Sequence, residues 1–519
     1  MSSRLPHRTR RFLHRILNRI TLTAVVLTVE LIWMLWMVFR LSQYALWINT
    51  LFSLITLGIV LHIIRRDEHP SYKIGWILLT SAVPLFGWLL YALFGNKRLS
   101  RRMKRKIQAV EQQHADALKQ PDVLQEEQPL PERFLATSHY VHEHGGYPAY
   151  AGTDVQYFAV GDDLFPVLLA DLESARHYIF MEYFILANGE MLDRIFDVLR
   201  RKAAEGVDVR VIYDDVGCEA AALHRFAPTA EHDGIRCMAF NPIIPVLSLV
   251  MNHRDHRKIM VIDGYIGYTG GANFADEYIG EETRFGEWKD NFLRLEGEGV
   301  RSMTLLFLEM WNANRPTDTR ENVTGYMPDP ARTSSVRCGG LVQPYGDSPV
   351  DSEILAENVY LNIINQATEY VYIYSPYVVI DYEMTRALSL AARRGVDVRL
   401  VVPAVPDKKI VYALTKSYFP ELIENGVKVY KFTPGFVHSK VFVADGRQAV
   451  VGSINLDYRS LVLHFENACM FVDHPVISSV KADFEETFPR CEPVSVKKRR
   501  FDMLYDLYLG LLRLFAPLL

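Results

Sequence analysis

A five-residue string occurs twice in this chain. Gly206-Val207-Asp208-Val209-Arg210 returns 189 residues later as Gly395-Val396-Asp397-Val398-Arg399, and its surroundings return with it. Ahead of the first copy, Tyr178 to Ile185 reads as a buried strand followed by a helical stretch from Met191 to Ala204; ahead of the second, Tyr370 to Tyr374 is the strand and Tyr382 to Ala392 the helix. Downstream, Val209 to Tyr213 and Val398 to Val402 are apolar runs of strand length. Each half is strand, helix, strand. That pattern predicts an α/β fold of two pseudo-symmetric halves, each built on a mostly parallel sheet.

Glycine followed by a β-rich run is also a common helix C-cap, so the string alone would be weak. A second repeat removes the doubt. Each half carries His-x-Lys-x4-Asp: His256, Lys258 and Asp263, then His438, Lys440 and Asp445, 182 residues apart. Each motif is followed by a small-residue turn and an asparagine, Gly270-Gly271-Ala272-Asn273 and Gly452-Ser453-Ile454-Asn455. Several features recurring in one order at nearly one offset make these six motif residues the candidate catalytic set.

Residues two apart on a strand share a face, so each half would present one imidazole beside one ammonium. Two lysines, Asn273, Asn455, the Ser453 hydroxyl and backbone N–H groups at the glycine turns suit the oxygens of a phosphoryl group in its transition state. Two histidines suit covalent chemistry, one attacking phosphorus while the other protonates the leaving alkoxide and later deprotonates the incoming alcohol. The lysines supply the charge, so neither a metal nor another cofactor is expected. Each histidine needs a carboxylate on its other ring nitrogen. Asp290, 34 residues after His256, and Glu466, 28 after His438, are the candidates. Asp263 and Asp445 stand in Asp-Gly turns at strand ends, where their task is structural. His253 with His256 could be read as an H-x-x-H metal pair, but no third ligand stands at a known spacing. His464 reads as a packed or surface histidine, and Asp214 and Asp215 as either site lining or a turn cap.

The amino-terminal part differs in kind. Residues 1–106 hold 17 Lys and Arg against 3 Asp and Glu, and the remainder 40 against 58. So acidic a remainder argues against nucleic-acid binding, which depends on neutralising phosphates. Three apolar stretches, Ile20 to Phe39, Leu41 to Ile64 and Ile74 to Phe94, each have the ~20 residues a helix needs to cross hydrocarbon. They predict a membrane anchor of two to three transmembrane helices in a multi-pass cell-membrane protein. Basic clusters flank both ends, Arg4 to Arg19 and Lys97 to Lys106. Three full crossings would put these clusters on opposite sides, against the positive-inside rule. Pro84 and Gly87 in the third stretch, or Glu30 in the first, mark where one crossing could fail.

The expected domains are therefore an anchor (1–106), a linker or short helix (107–150), the two halves (151–330 and 331–496), and a basic run with an amphipathic helix (497–519). In that last helix Leu504, Leu507, Leu511 and Leu514 share one face, suiting either a lipid interface or packing on the protein. The apolar, proline-broken run Phe240 to Leu247 is either a loop dipping into the bilayer or a buried segment. Five cysteines, scattered and without any CxxC, suggest free thiols.

The duplicated motifs at His256 and His438 resemble those of the phospholipase D superfamily over roughly residues 150 to 490. Within it, Pro84 to Tyr91 ahead of the two halves, Gly270-Gly271-x-Asn273 running on to Asp276-Glu277-Tyr278, and the terminal Phe515 to Leu519 are similar to the bacterial cardiolipin synthases. The resemblance implies two phosphatidylglycerol molecules giving cardiolipin and glycerol through a phosphatidyl-histidine, with His256 as nucleophile and His438 as acid and base. It also implies anionic membrane lipid as the partner, with no nucleic acid and no obligatory protein. Phospholipid hydrolysis or transfer to another alcohol, a nucleic-acid phosphodiesterase and an inactive membrane scaffold are the competing readings. Gly271 opposite Ser453, and the extra first apolar stretch, depart from the family pattern.

Overall fold

The computed structural model describes residues 28, 31–33, 36, 46–66, 68, 70–95, 101–119, 132–219, 226–242, 253–315, 322–333, 335–336, 338–351, 353–495 and 503–516. They form two compact units, one of residues 1–98 with 243–251, the other of 99–242 with 252–519.

In the larger unit the two Asp-Gly turns decide the sheet topology. Asp263 and Gly264 have φ of 51° and 66°, Asp445 and Gly446 of 53° and 65°. Two successive positive φ values are what a type I′ turn demands, and Asp-Gly is among the pairs that tolerate it. The chain leaving each motif strand therefore doubles back beside it. The first half contributes β1 (Thr153–Phe158), β2 (Tyr178–Tyr183), β3 (Asp208–Asp214), β4 (Arg236–Phe240), β5 (Lys258–Ile262), β6 (Ile266–Gly270), β7 (Glu287–Lys289) and β8 (Phe292–Gly297). The second contributes β9 (Leu341–Asp347), β10 (Tyr370–Tyr374), β11 (Val378–Val379), β12 (Asp397–Pro403), β13 (Lys428–Phe432), β14 (Gly435–Val437), β15 (Val441–Ala444), β16 (Gln448–Gly452), β17 (Leu456–Asp457), β18 (Glu466–Val472) and β19 (Cys491–Pro493).

The first sheet runs β1-β8-β6-β5-β2-β3-β4 and the second, read the same way, β9-β18-β16-β15-β10-β12-β13-β19. The halves match strand for strand, β19 being the addition. The sheets are mixed, which corrects the expectation of mostly parallel ones. Only β2–β3–β4 and β10–β12–β13 run parallel, the products of the repeated strand-helix-strand units, and the hairpin strands beyond β2 and β10 are antiparallel.

One continuous core joins the halves. Phe180, Ile259 and Val261 of the first sheet, Tyr374, Val443 and Phe471 of the second, and the wholly buried Trp311 of the helix Val300–Asn314 belong to it. The outer faces are covered by each half's own helices, Glu190–Ala204 on the first and Leu355–Gln366 and Tyr382–Arg393 on the second. The segment expected to link anchor and halves is part of this body. The helix Arg101–Leu118 puts Ile107 and Val110 into the shared core, and the helix Glu132–Gly145 packs Phe134 and Val141 against the second half.

The smaller unit contains the helices Leu46–Arg65, Pro70–Ala82 and Pro84–Phe94. The third apolar stretch is thus broken, because proline at 84 has no N–H to continue the preceding helix. Gly87 lies so close to Leu79 that an added Cβ would stand 2.5 Å from the Leu79 carbonyl oxygen, and Trp88 donates its indole N–H to Thr56 at 3.1 Å. No helix among the described residues is long and apolar enough to cross a membrane. Leu51, Leu54, Leu57, Leu61, Ile64, Ile74 and Leu78 are nevertheless exposed. The first stretch lies mostly outside the described residues, as do residues 243–250 of the proline-broken run. In the carboxy-terminal helix Met503–Phe515, Leu507 and Leu511 face outward while Arg513 donates to Ser417 Oγ at 2.9 Å and stacks over Tyr418.

Candidate active site

Each motif histidine is seated by the opposite half. The His256 N–H donates to the Phe465 carbonyl at 2.9 Å, and the His438 N–H to the Lys289 carbonyl at 2.8 Å, where β14 runs parallel to β7. Phe465 and Lys289 immediately precede Glu466 and Asp290. The backbone stitch therefore delivers each carboxylate to the other half's imidazole. His256 Nδ1 lies 2.9 Å from both oxygens of Glu466, and His438 Nδ1 lies 2.6 Å from Asp290 Oδ2. Both carboxylates named from the sequence are here, but the pairs are crossed between halves, whereas spacing along the chain associates Asp290 with His256 and Glu466 with His438.

The histidines and lysines do not lie along one strand as expected. His256 precedes β5, and His438 to Lys440 fill the gap between β14 and β15. The lysines reach back instead: Lys258 Nζ donates to the His256 carbonyl at 2.7 Å, and Lys440 Nζ does the same to the His438 carbonyl. All four side chains are buried. Burial, with Lys258 nearby, pulls His256 down to about 3 against the pull of Glu466, and burial with Lys440 pulls His438 down to about 4. Burial lowers Lys258 to about 7 and Lys440 to about 8. Glu466 is wholly buried, which works against its charge, yet His256, His464 and Lys258 hold it well below the carboxylate range. His256 therefore rests as a neutral imidazole, and with its Nδ1–H donating to the anionic Glu466 its Nε2 keeps a lone pair; His438 Nδ1 is met by Lys440 Nζ at 2.9 Å as well as by Asp290.

The halves differ at the carboxylates. Glu466 accepts from the hydroxyls of Ser453 and Ser460 as well as from His256. Asp290 faces Gly271, where an added Cβ would stand 2.2 Å from its Oδ1. Glycine is required there by the shorter carboxylate's approach. Asn273 is committed within its own half, accepting from the Ile185 N–H at 3.1 Å and donating to the Tyr278 hydroxyl at 3.1 Å. Asn455 Oδ1 is buried with no hydrogen-bond partner among the described residues.

Asp263 and Asp445 are not in this cluster. Asp263 accepts the N–H groups of Arg176, His177 and Tyr178, and Asp445 those of Thr368, Glu369 and Tyr370. They cap β2 and β10 at the far ends of β5 and β15, which removes them from the candidate catalytic set and leaves them the structural task their turns suggest.

Aromatic walls were missed in the sequence. The Phe184 ring stands edge-on to His256 at 4.9 Å between centroids with Lys258 Nζ 5.7 Å from its own centroid; Trp288 lies 5.5 Å from His438, and the Tyr278 hydroxyl 3.5 Å from His438 Nδ1. Trp288 stands two residues before Asp290 and Tyr278 five after Asn273, but period alone gives no reason to choose them or Phe184. The His464 ring lies 5.7 Å from that of His256, tilted by 43°, with its Nδ1 3.7 Å from Glu466. His256, His464 and Glu466 could jointly hold a metal ion, their ligand atoms lying within 4.8 Å of one another. An ion there would have to displace the His256 and serine donors from Glu466. His253 is not part of that group, and its Nδ1 lies 2.9 Å from the Leu463 carbonyl. Asp214 accepts from the Val216, Gly217 and Asp255 N–H groups, a turn cap beside the site.

Known proteins resemble this chain along most of its length. The chain matches the family described as cardiolipin synthase, PLD-like domain, over residues 168–283 and 360–488, and the phospholipase D-nuclease amino-terminal family over 54–96. It is 34% identical to a cardiolipin synthase of Geobacillus thermodenitrificans over 458 residues, 88% of this chain and 90% of that one. It is 41% identical to an uncharacterized protein of Streptococcus mutans over 474 residues, 89% of this chain and 100% of that one. The crystal structure of phosphatidylserine synthase from Haemophilus influenzae shares the fold, with a TM-score of 0.55 at 16% identity over 73% of this chain and 97% of that one. The chain belongs to the cardiolipin synthase family of phospholipase D-like phosphatidyltransferases.

Proposed function

We propose that the enzyme makes cardiolipin and glycerol from two phosphatidylglycerol molecules through a phosphatidyl-histidine. The observation that carries this is the pair of buried histidines, each held through Nδ1 by a carboxylate of the opposite half and flanked by its own lysine. His256 Nε2 attacks phosphorus, the P–O bond to the headgroup glycerol breaks, and His438, which takes up a proton on Nε2 as the anionic phosphodiester binds beside it, gives that proton to the departing alkoxide. A hydroxyl of the second phosphatidylglycerol then gives its proton to His438 and attacks the same phosphorus, releasing His256. Lys258 and Lys440 neutralise the peripheral phosphoryl oxygens. The assignment of His256 as nucleophile is supported by its partner: Glu466 is held anionic and oriented by two serine hydroxyls, so it can stabilise a phosphorylated imidazolium for the lifetime of an intermediate.

Membrane attachment through the amino-terminal helices is the companion proposal, supported by their exposed leucines and isoleucines, unusual on a surface that meets water. The break at Pro84 leaves Ile20–Phe39 and Leu41–Ile64, both reaching beyond the described residues, as the pair that would cross. Two crossings put both basic flanks on one face, as the positive-inside rule asks. The outward Leu507 and Leu511, close in sequence to Lys497-Lys498-Arg499-Arg500, suit an anionic lipid surface.

The test is purified protein with labelled phosphatidylglycerol in mixed micelles, products resolved by mass spectrometry beside His256→Ala. Cardiolipin with equimolar glycerol, absent in the variant, is expected. Phosphatidic acid alone would make the enzyme a hydrolase.

A further inference from the structure

A cavity of about 310 Å³ lies away from the histidines, between the helices Arg101–Leu118 and Val300–Asn314 and the end of β9. Carboxylates line it from three sides: Glu111 on the first helix, Glu309 on the second, and Asp347, Asp351 and Glu353 at and after the strand end. The charges are poorly matched. Arg257 is the cation nearest Glu309, but it also faces Glu182 at 3.9 Å and donates to the Leu306 carbonyl at 3.2 Å; Lys104 is the other cation near Glu111 and Asp351. Glu309 is 8% exposed, lines the cavity, and has no hydrogen-bond or ion-pair partner among the described residues. A buried carboxylate without a partner is costly unless something else fills its place. Burial and then Glu111 push Glu309 up to about 8, and burial lifts Asp347 to about 8 as well.

The acidic groups do not converge as metal ligands do. Among the described residues, three ligand atoms come within 4.8 Å of one another only at His256, His464 and Glu466. Here the carboxylates are spread over separate walls of a space large enough for a small organic molecule. We infer that this cavity binds a small organic cation carrying two or more ammonium groups, with Glu309 and Glu111 taking one ammonium and the Asp347–Glu353 side another. Its position ties it to the motif. Arg257 lies between His256 and Lys258 in the chain, and Asp347 is the cross-strand partner of Glu466 on β18. An occupant would adjoin the end of the strand that pairs with Glu466.

The proposal is independent of the reaction chemistry, and a binding measurement tests it. Full-length protein in non-ionic detergent, which brings no ammonium of its own, is titrated with spermidine by calorimetry at low salt. The expected result is saturable one-to-one binding, weakened at least tenfold in Glu309→Gln and in Glu111→Gln and unchanged in the surface control Glu383→Gln. Glu111 is only partly buried on a helix, so its variant carries the test if Glu309→Gln does not fold. Absence of saturable binding, equal weakening by Glu383→Gln, or displacement of spermidine by equimolar magnesium would overturn the inference.

Discussion

If each carboxylate serves the histidine of the other half, Glu466→Gln should fail where His256→Ala fails, and Asp290→Asn where His438→Ala fails. The size of the effect follows from the geometry. A positive charge developing on the His256 imidazole 2.9 Å from Glu466 is stabilised by about 6 kcal/mol at an effective dielectric of ~20. Losing it costs roughly 10⁴ in rate. Asp290, at 2.6 Å from His438, gives a figure slightly larger. Steady-state turnover cannot distinguish the two, since both half-reactions need both histidines when the leaving group is an alkoxide. A phosphatidyl p-nitrophenyl ester separates them, because nitrophenolate departs without a proton. Under rapid quench, Asp290→Asn and His438→Ala should still give a burst of nitrophenolate near one equivalent and then stall, while Glu466→Gln and His256→Ala should give none. A wild-type burst in Glu466→Gln, or its loss in Asp290→Asn with retention in Glu466→Gln, would refute the crossed wiring or the assignment of the nucleophile.

Three further outcomes are expected. Lys258 and Lys440 act as cations but are lowered to about 7 and about 8, so their charge is present below those values and lost as pH rises through them; kcat/KM should fall above about pH 7 and more steeply above about pH 8, while kcat holds to higher pH because a bound phosphodiester anion raises both lysines, and a kcat/KM flat to about pH 10 would contradict this. Gly271→Ala should displace the Asp290 carboxylate by steric contact at 2.2 Å and cut turnover more than a hundredfold, whereas Ser453→Ala, removing one of two hydroxyl donors to Glu466, should cost about 1–2 kcal/mol, or about five- to thirtyfold. Asp263→Ala should lower Tm through about 1–3 kcal/mol of lost capping with kcat of the folded protein nearly unchanged, and His256→Ala should do the reverse.

How much of this was legible in the sequence depends on the range of the interaction. The strand-helix-strand units, their helices and the candidate carboxylates could be read because period and local motif carry them. The Asp-Gly turns carried the antiparallel hairpins too. Asp263-Gly264 and Asp445-Gly446 are type I′ signals, but reading them only as strand ends left the sheets mostly parallel in expectation. Pro84 likewise announced the break in the third apolar stretch. The crossed pairs were not legible. Nothing in the linear spacing of His256, Asp290, His438 and Glu466 says that β14 will lie beside β7, or that Phe465 will accept from the His256 N–H. Tyr278 meets His438 through the same long-range docking, whereas Ser460 and Phe184 reach the site from within their own halves. The packed helix Arg101–Leu118 was hidden by composition, since Ile107 and Val110 are a sparse apolar face in a polar run.

The crossing has a consequence for what a duplication of this kind must preserve. In each half alone, the histidine lacks the carboxylate that fixes its tautomer, and the carboxylate lacks the histidine that offsets its burial. Glu466 is wholly buried, and without the first half it would lose His256 and Lys258, two of the groups that hold its charge. Catalytic competence and the docking of the two halves therefore rest on the same contacts. That coupling also explains why the two halves could diverge at Gly271 and Ser453 without losing symmetry elsewhere: each carboxylate is matched in length and in hydroxyl partners to the histidine across the interface, so a change in one half is constrained by the other half's geometry rather than by its own. Exchanging the pair as a unit, Asp290→Glu with Glu466→Asp, should consequently do more harm than the conservative chemistry suggests, because the longer side chain at 290 has no room beside Gly271 and Lys440 and the shorter one at 466 falls back from the Ser453 and Ser460 hydroxyls.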